Sequence, residues 1–338
     1  MSTRRESKYI NERKRYMKIT VTPRGFAKCG LDNVKRFEEA GFALEYNDTP
    51  NAYTKEAFYE KTLDADGIIV GVEQVDKAYI DSHPKLKAVV KFGVGTDNID
   101  VAYCQQKGIF VGKTAGSNAR SVAETAISFI LADSKNLYES ILATKQHSWA
   151  KLTGYEIENK VLGIVGFGNI VHLVAELLHV FGCKILVHDI KIDPEDEMLA
   201  RLPIKVVDLP TLMRESDIVT LHVRGLEMVL TREMLSLMQP HAFLINTARA
   251  WLVDYDALYE LLRDRKIMGA AIEVHPEEPL PTDYPFLSLD CVTLTTHRGG
   301  ATINAYSDSP EMLVKDYARY LAGGKVRFFV NPEVGFGK

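Results

Sequence analysis

Residues 163–171 read GIVGFGNIV, an apolar run that closes on Gly166, Phe167 and Gly168 and passes directly into a second apolar pattern. In the longer stretch KVLGIVGFGNIVHLVAELLHVFGCKILVHD, residues 160–189, Ile170, Leu173, Val174, Leu177, Leu178 and Phe181 recur at helical spacing. That spacing starts a helix right after Gly168 and lays one apolar stripe on a sheet. The stretch is therefore a strand, a glycine turn, a helix and a second strand. The helix start leaves N–H groups facing the turn, where Gly166 permits tight reversal and Gly168 lets backbone approach a pyrophosphate. Asp189 ends the second strand about twenty residues later, the spacing at which an acid binds a ribose hydroxyl. Val171 stands where this fingerprint has its third glycine, whose task is packing of helix on strand and not phosphate contact. Two readings remain, a dinucleotide loop and an ordinary strand-to-helix turn. Asp189 favours the first, and favours NAD over a cofactor carrying a 2′-phosphate, while Lys191 nearby pulls the other way.

A chain of 338 residues with 46% hydrophobic content is long enough for two globular domains. A formal net charge of −4 argues against a protein that binds the nucleic-acid backbone. Cys29, Cys104, Cys183 and Cys291 stand far apart without the spacing of metal ligands, so they read as reduced thiols and no metal is expected. No apolar run reaches bilayer length and no signal-peptide pattern opens the chain, so we expect no membrane partner and a cytoplasmic location. Residues 1–16, MSTRRESKYINERKRY, are polar and basic. Because Met17 precedes the strand-like KITVT, they read as a tail or a misplaced start.

From Lys18 onward β-rich runs alternate with helical periodicity: KITVT (18–22), a helix around 34–39, FALEY (42–46), a helix near 54–63, GIIV (67–70) and KAVVKF (87–92). Such alternation means parallel strands joined by crossover helices. After GIFVG (108–112) one long helical stretch is expected from Asn118, NARSVAETAISFILADSKNLYESILA, too apolar to stand free. Six further strand-like runs follow: KVLGIV (160–165), CKILVHD (183–189), SDIVTLHV (216–223), AFLINT (242–247), MGAAIEV (268–274) and CVTLTT (291–296). They suffice for a dinucleotide-type sheet. Asp254 is a good N-cap for YDALYELLRDRK, and Ser309 with Pro310 starts a final helix ahead of VRFFVNPEV.

KFGVGTDNID (91–100), SVAE (121–124), the glycine loop, LINTAR (244–249), EEPL (277–280) and THRGG (296–300) come in an order that resembles the D-isomer-specific 2-hydroxyacid dehydrogenases. Within that family the likeness is to the phosphoglycerate dehydrogenase-like and glyoxylate- or hydroxypyruvate-reductase-like branches, and it runs from residue 17 to the C-terminus. The resemblance implies an α/β protein of two Rossmann-like, doubly wound parallel-sheet domains, the cofactor domain inserted into the substrate domain. Residues 17–117 plus 305–338 would bind substrate and 118–304 would bind NAD. The helix from Asn118 would cross between them and help form a homodimer.

The implied reaction moves a hydride between NAD(H) and C2 of a small D-2-hydroxy acid or 2-oxo acid. Such chemistry needs a proton donor to the new alkoxide and a cation that holds the carboxylate and polarises the carbonyl. By resemblance His297 is the acid–base group, Glu278 orients its imidazole, and Arg249 grips the carboxylate, with the backbone of Gly93, Val94 and Gly95 completing that grip. The implied cofactor site comprises Gly166, Phe167, Gly168, Asn169, Ile170, Asp189, His222, Thr247, Ala248, Arg249, Glu273, His297 and Gly299. Glu273 replaces the family's usual Asp, and its longer side chain still accepts a hydrogen bond. The eight other histidines lack comparable company in the sequence.

Several substitutions fall around these motifs. Arg298 and Arg224 stand where relatives place isoleucine and proline, Ala250 replaces a glycine, and the loop after Arg224 is about three residues short. The two arginines form either an anion site for a doubly charged substrate or solvent-facing side chains paired with acids such as Glu273 or Glu277. Gly71, Val72 and Glu73 occupy the place where a phosphate-binding arginine would be sought, which argues against phosphoglycerate. A different class also stays open: an NAD(H)-sensing binding protein that uses this fold as a switch.

Overall fold

Short runs of β-branched and leucine residues that are apolar at every position, without polar alternation, belong to strands buried on both faces. Twelve strands, several of them of this kind, occur among the residues that the computed structural model describes, which are 17–24, 26, 31–39, 41–114, 116–305 and 330. The tail 1–16 and the final helix expected from Ser309 lie outside the described residues. The chain divides into two compact units, Met1–Ser117 with Thr302–Lys338, and Asn118–Ala301.

The first unit runs β1 (Met17–Val21), α1 (Leu31–Glu39), β2 (Phe42–Tyr46), α2 (Lys55–Thr62), β3 (Gly67–Val70), α3 (Lys77–Ser82), β4 (Ala88–Lys91), α4 (Val101–Gln106) and β5 (Phe110–Lys113). Thr54, Asp76 and Asp100 start α2, α3 and α4, each side chain accepting a backbone N–H of the first turn. The five strands are parallel in the order β2-β1-β3-β4-β5. Ile68, Val70, Val89 and Val111 fill one face and Ile19, Val21, Ile69 and Val90 the other. Val330, late in the sequence, donates its N–H to Val111 beside β5 at 3.0 Å.

The second unit opens with α5 (Ala119–Ser134) and α6 (Leu137–Lys145), then β6 (Val161–Val165), α7 (Asn169–His179), β7 (Lys184–His188), α8 (Glu197–Arg201), β8 (Ile204–Val206), α9 (Leu209–Glu215), β9 (Ile218–Leu221), α10 (Arg232–Leu235), β10 (Phe243–Asn246), α11 (Tyr255–Arg263), β11 (Gly269–Ile272) and β12 (Val292–Leu294). Its parallel strands are ordered β12-β11-β10-β9-β6-β7-β8. The order reverses between β6 and β9, and ligands of open α/β sheets bind at the strand ends beside such a reversal. Successive residues feed opposite cores: Leu244 packs on one face and Ile245 on the other. Asp254 does cap α11, accepting from Ala257 N–H.

Two expectations are corrected here. The single long helix from Asn118 is broken between α5 and α6 at Asn136, which takes a left-handed φ of 46°. The returning chain supplies the partners that end α5: Tyr155 N–H donates to Ser134 O at 2.7 Å, and Asn136 Nδ2 donates to Thr153 O at 2.8 Å. Asparagine tolerates that backbone region, whereas the apolar pattern continues across the break and conceals it. The second sheet also gains a seventh strand, β8, beyond the six expected runs. It is a three-residue edge strand paired only to β7, with Val206 exposed, and so lacks the apolar signature of its neighbours.

Candidate active site

Gly166 leaves β6 with a φ of +113°, and its N–H donates to His188 O at 2.7 Å. A Cβ on it would lie 2.9 Å from the carbonyl carbon and oxygen of His222 at the end of β9. Close approach of two strand exits at the reversal point therefore requires a glycine. Gly168 differs: a Cβ there meets nothing within 4 Å. It is the N-cap of α7 and has no side chain to satisfy the first N–H groups of that helix. An open cradle of backbone donors at a helix N-terminus fits a dinucleotide pyrophosphate. Asn169 is exposed and Phe167 and Ile170 are half-buried at its rim.

Asp189, at the end of β7, accepts Phe167 N–H on Oδ2 and Lys191 N–H on Oδ1, both at 2.8 Å. The carboxylate thus braces the glycine loop while each oxygen keeps a further lone pair. Val171 is fully buried in the core that includes Leu162, Ile164 and Val174, so its side chain fills the helix–sheet contact that a glycine would leave thin.

His222 reaches Thr220 Oγ1 at 3.0 Å and Thr247 Oγ1 at 3.4 Å. The residue is half-buried, but its ring is walled in, and desolvation pushes its pKa down to about 4. Beyond β10 the fully buried Asn246 builds the next turn. Its Oδ1 accepts Ala248 N–H at 3.0 Å, and its Nδ2 donates to Arg249 O at 3.0 Å and to the Tyr255 hydroxyl at 3.1 Å. Thr247 and Ala248 are buried; Arg249 is half-buried, its guanidinium donating to Ala248 O and lying 5.9 Å from the Trp251 ring. Tyr255 in turn donates to Val274 O beside β11 at 2.8 Å.

Two loops, after β11 and β12, bring Glu278 and His297 together. His297 Nδ1 lies 2.9 Å from Oε2 and 3.1 Å from Oε1 of Glu278, and both side chains stay open to solvent. The His297 backbone has a left-handed φ of 48°, a strained region for a non-glycine residue. Glu273 holds it there. The Glu273 carbonyl accepts His297 N–H at 3.1 Å and its carboxylate accepts Gly299 N–H. Gly299 O accepts the Ser121 hydroxyl of α5 at 2.5 Å. Glu273 is 2% exposed, and burial pushes its carboxyl above the usual range, against the pull of His297 and the Gly299 and Arg298 N–H groups.

Arg249, Glu273, Glu278, His297, Gly299 and the glycine loop thus all follow the C-terminal ends of parallel strands in one sheet. Gly93, Val94 and Gly95 follow β4 in the other unit, Gly93 with a φ of +141° and its N–H donating to Thr114 Oγ1 at 2.9 Å. Arg224 and Arg298 are exposed, and neither forms an ion pair among the described residues. The solvent-facing alternative describes them; pairing to Glu273 does not, since that carboxylate is taken by backbone. Asn246, Tyr255 and His275 were not anticipated. Asn246 carries a signal in retrospect, a polar residue closing an apolar strand, but the other two are recognisable only from their partners. His275 is one of the eight other histidines, and its backbone N–H donates to Glu278 Oε1 at 3.0 Å.

The family profile described as D-isomer specific 2-hydroxyacid dehydrogenase, NAD binding domain, matches residues 127–299. The glyoxylate reductase of Thermococcus litoralis is 32% identical over 330 residues, 94% of this chain and 97% of that protein. The D-3-phosphoglycerate dehydrogenase of Methanocaldococcus jannaschii is 33% identical over 318 residues, 91% of this chain, which spans 59% of that relative's length. Among solved structures, the TT0316 protein of Thermus thermophilus superposes with a TM-score of 0.81 at 28% identity, covering 93% of this chain and 100% of the other.

Proposed function

From a chain that belongs to the D-isomer-specific 2-hydroxyacid dehydrogenases, we propose an enzyme that interconverts a small D-2-hydroxy acid and its 2-oxo acid with NAD(H). The observation that carries this reading is the Glu278–His297 pair, solvent-accessible and set on the same strand-end edge as Arg249 and the glycine loop. When bound, the nicotinamide supplies or takes the hydride. The backbone of Gly166 to Ile170 and the Asp189 carboxylate would hold the dinucleotide, with Thr247, Ala248, His222, Glu273 and Gly299 around its nicotinamide end.

In reduction, Arg249 holds the substrate carboxylate and draws electron density from the carbonyl. Glu278 occupies His297 Nδ1, so the proton leaves from Nε2 to the developing alkoxide; in oxidation the same nitrogen accepts it. His222, with its depressed pKa, stays uncharged through the neutral range and adds no positive charge beside the cofactor. Leu137, Tyr138, Ile141 and Leu142 leave an exposed apolar face on α6, which supports a homodimer. No helix among the described residues is long and apolar enough to cross a membrane, and we place the enzyme in the cytoplasm.

The test is oxidation of NADH, and separately of NADPH, across a panel of 2-oxo acids that includes glyoxylate and hydroxypyruvate. Turnover of at least one acid with preference for NADH is expected, and that preference should relax in Asp189→Ala, which loses the anion facing a 2′-phosphate. Tight NADH binding without turnover of any acid would leave the binding-protein reading in its place.

A further inference from the structure

His275 follows β11 and is buried, its ring edge-on to Tyr284 with centroids 5.9 Å apart. Its Nε2 lies 2.7 Å from the carbonyl oxygen of Thr295. A carbonyl only accepts, so Nε2 carries the hydrogen and donates it. The backbone N–H of the same residue donates to Glu278 Oε1, the oxygen that also faces His297 Nδ1 at 3.1 Å. One residue therefore holds both halves of the pair. Its main chain fixes the carboxylate, and its ring fixes the segment two residues ahead of His297. The other ring nitrogen, Nδ1, is buried without a hydrogen-bond partner. A phenyl ring would pack on Tyr284 with no orphaned nitrogen, so what the imidazole contributes here is its Nε2–H.

We propose, resting on the assignment of Glu278 and His297 as the acid–base pair, that His275 is a positioning residue. It cross-links the exit of β11 to the exit of β12 and so sets how the Glu278 carboxylate meets the His297 imidazole. Glu273 also ties the second loop down, which makes the effect of losing His275 partial. His275→Phe keeps the ring packing and loses the donor. It lowers kcat about tenfold while KM for the oxo acid and NADH affinity stay within about twofold, the pattern of a misaligned acid and not of a lost binding contact. His275→Gln, whose amide can still reach Thr295, keeps kcat within about threefold. In a double-mutant cycle, His275→Phe adds little to Glu278→Gln, because both act through one contact.

Two-bond proton–nitrogen spectra of the imidazoles read the same geometry without any substrate. Wild-type His297 populates the tautomer protonated on Nδ1, facing Glu278, and His275→Phe mixes in the Nε2-protonated form. If no acid is turned over but the tautomer shifts, the functional reading fails and the positioning role stands. Should the Phe variant not fold, His275→Asn, too short to span to Thr295, serves as the loss variant in both measurements. The proposal is overturned if the loss variant keeps wild-type kcat and tautomer, or if the loss and Gln variants fall together in kcat and thermal stability.

Discussion

Gly166 and Gly168 stand two residues apart and answer to different constraints. The first is needed by the protein, because His222 backbone occupies the space of any side chain and the φ is positive. The second faces open space. Gly166→Ala should therefore lose about 1–3 kcal/mol of stability, read as a lower denaturation midpoint. Gly168→Ala should fold like wild type yet bind NADH at least about tenfold more weakly, because a methyl group then stands between backbone and pyrophosphate. Equal midpoints for both variants would refute this division of labour. Val171→Gly tests the third motif position: with a fully buried side chain lost from inside α7, about 2–4 kcal/mol of stability should go, while NADH affinity changes less than about tenfold. The motif spacing already gave Gly166 the tight turn and Gly168 the approach to phosphate; what it did not show is that the backbone crowding Gly166 comes from the exit of β9, more than fifty residues away. The same holds at His297. Its place in THRGG was readable from sequence, whereas its left-handed backbone and the Glu273 brace were not. His297→Ala should cut turnover by about two to four powers of ten with NADH binding retained; reduction at the wild-type rate by this variant would end the proposed mechanism.

Among the elements, strands were easier to read than helix ends. Strands buried on two faces announce themselves by composition, and only β8, a short edge with exposed residues, escaped notice. The junction of α5 and α6 was hidden because it depends on residues 153–155 crossing back over it. That junction also holds a titrating group. Asp133 accepts the Tyr155 hydroxyl at 2.7 Å, and burial raises its pKa to about 6. Its raised value means that the folded chain binds a proton more tightly than the unfolded one between the ordinary carboxylate range and about pH 6. Its contribution is thus fully favourable below that window, is lost as pH rises through it, and stays constant above. Asp133→Asn keeps an acceptor for Tyr155 and removes the charge. The midpoint of the variant should match wild type near pH 4 and exceed it by about 2–4 °C at pH 7. A constant difference across pH would show that the carboxyl is not the titrating group.

At the scale of the whole molecule, the class of fold was open to sequence reasoning because parallel strands and crossover helices impose a strict alternation on the chain. Strand order was not, since it depends on which apolar runs meet in space. The apolar face of α6 likewise shows only once the break has separated it from α5, whose Ala123, Ala126 and Ile130 pack on α7. If that face joins two copies, Ile141→Glu should halve the mass measured by light scattering without unfolding the chain; an unchanged mass would place the contact elsewhere. The division of the chain carries a consequence for synthesis. Asn118–Ala301 is contiguous, so this unit can complete its core as soon as Ala301 has cleared the ribosome. The unit that begins first finishes last, because Val330, which donates to Val111 O of β5, is made only after the whole of the second unit. Vectorial folding thus runs from the middle outward, and a nascent chain stalled just short of Thr302 would carry a finished dinucleotide-type sheet beside an unfinished partner.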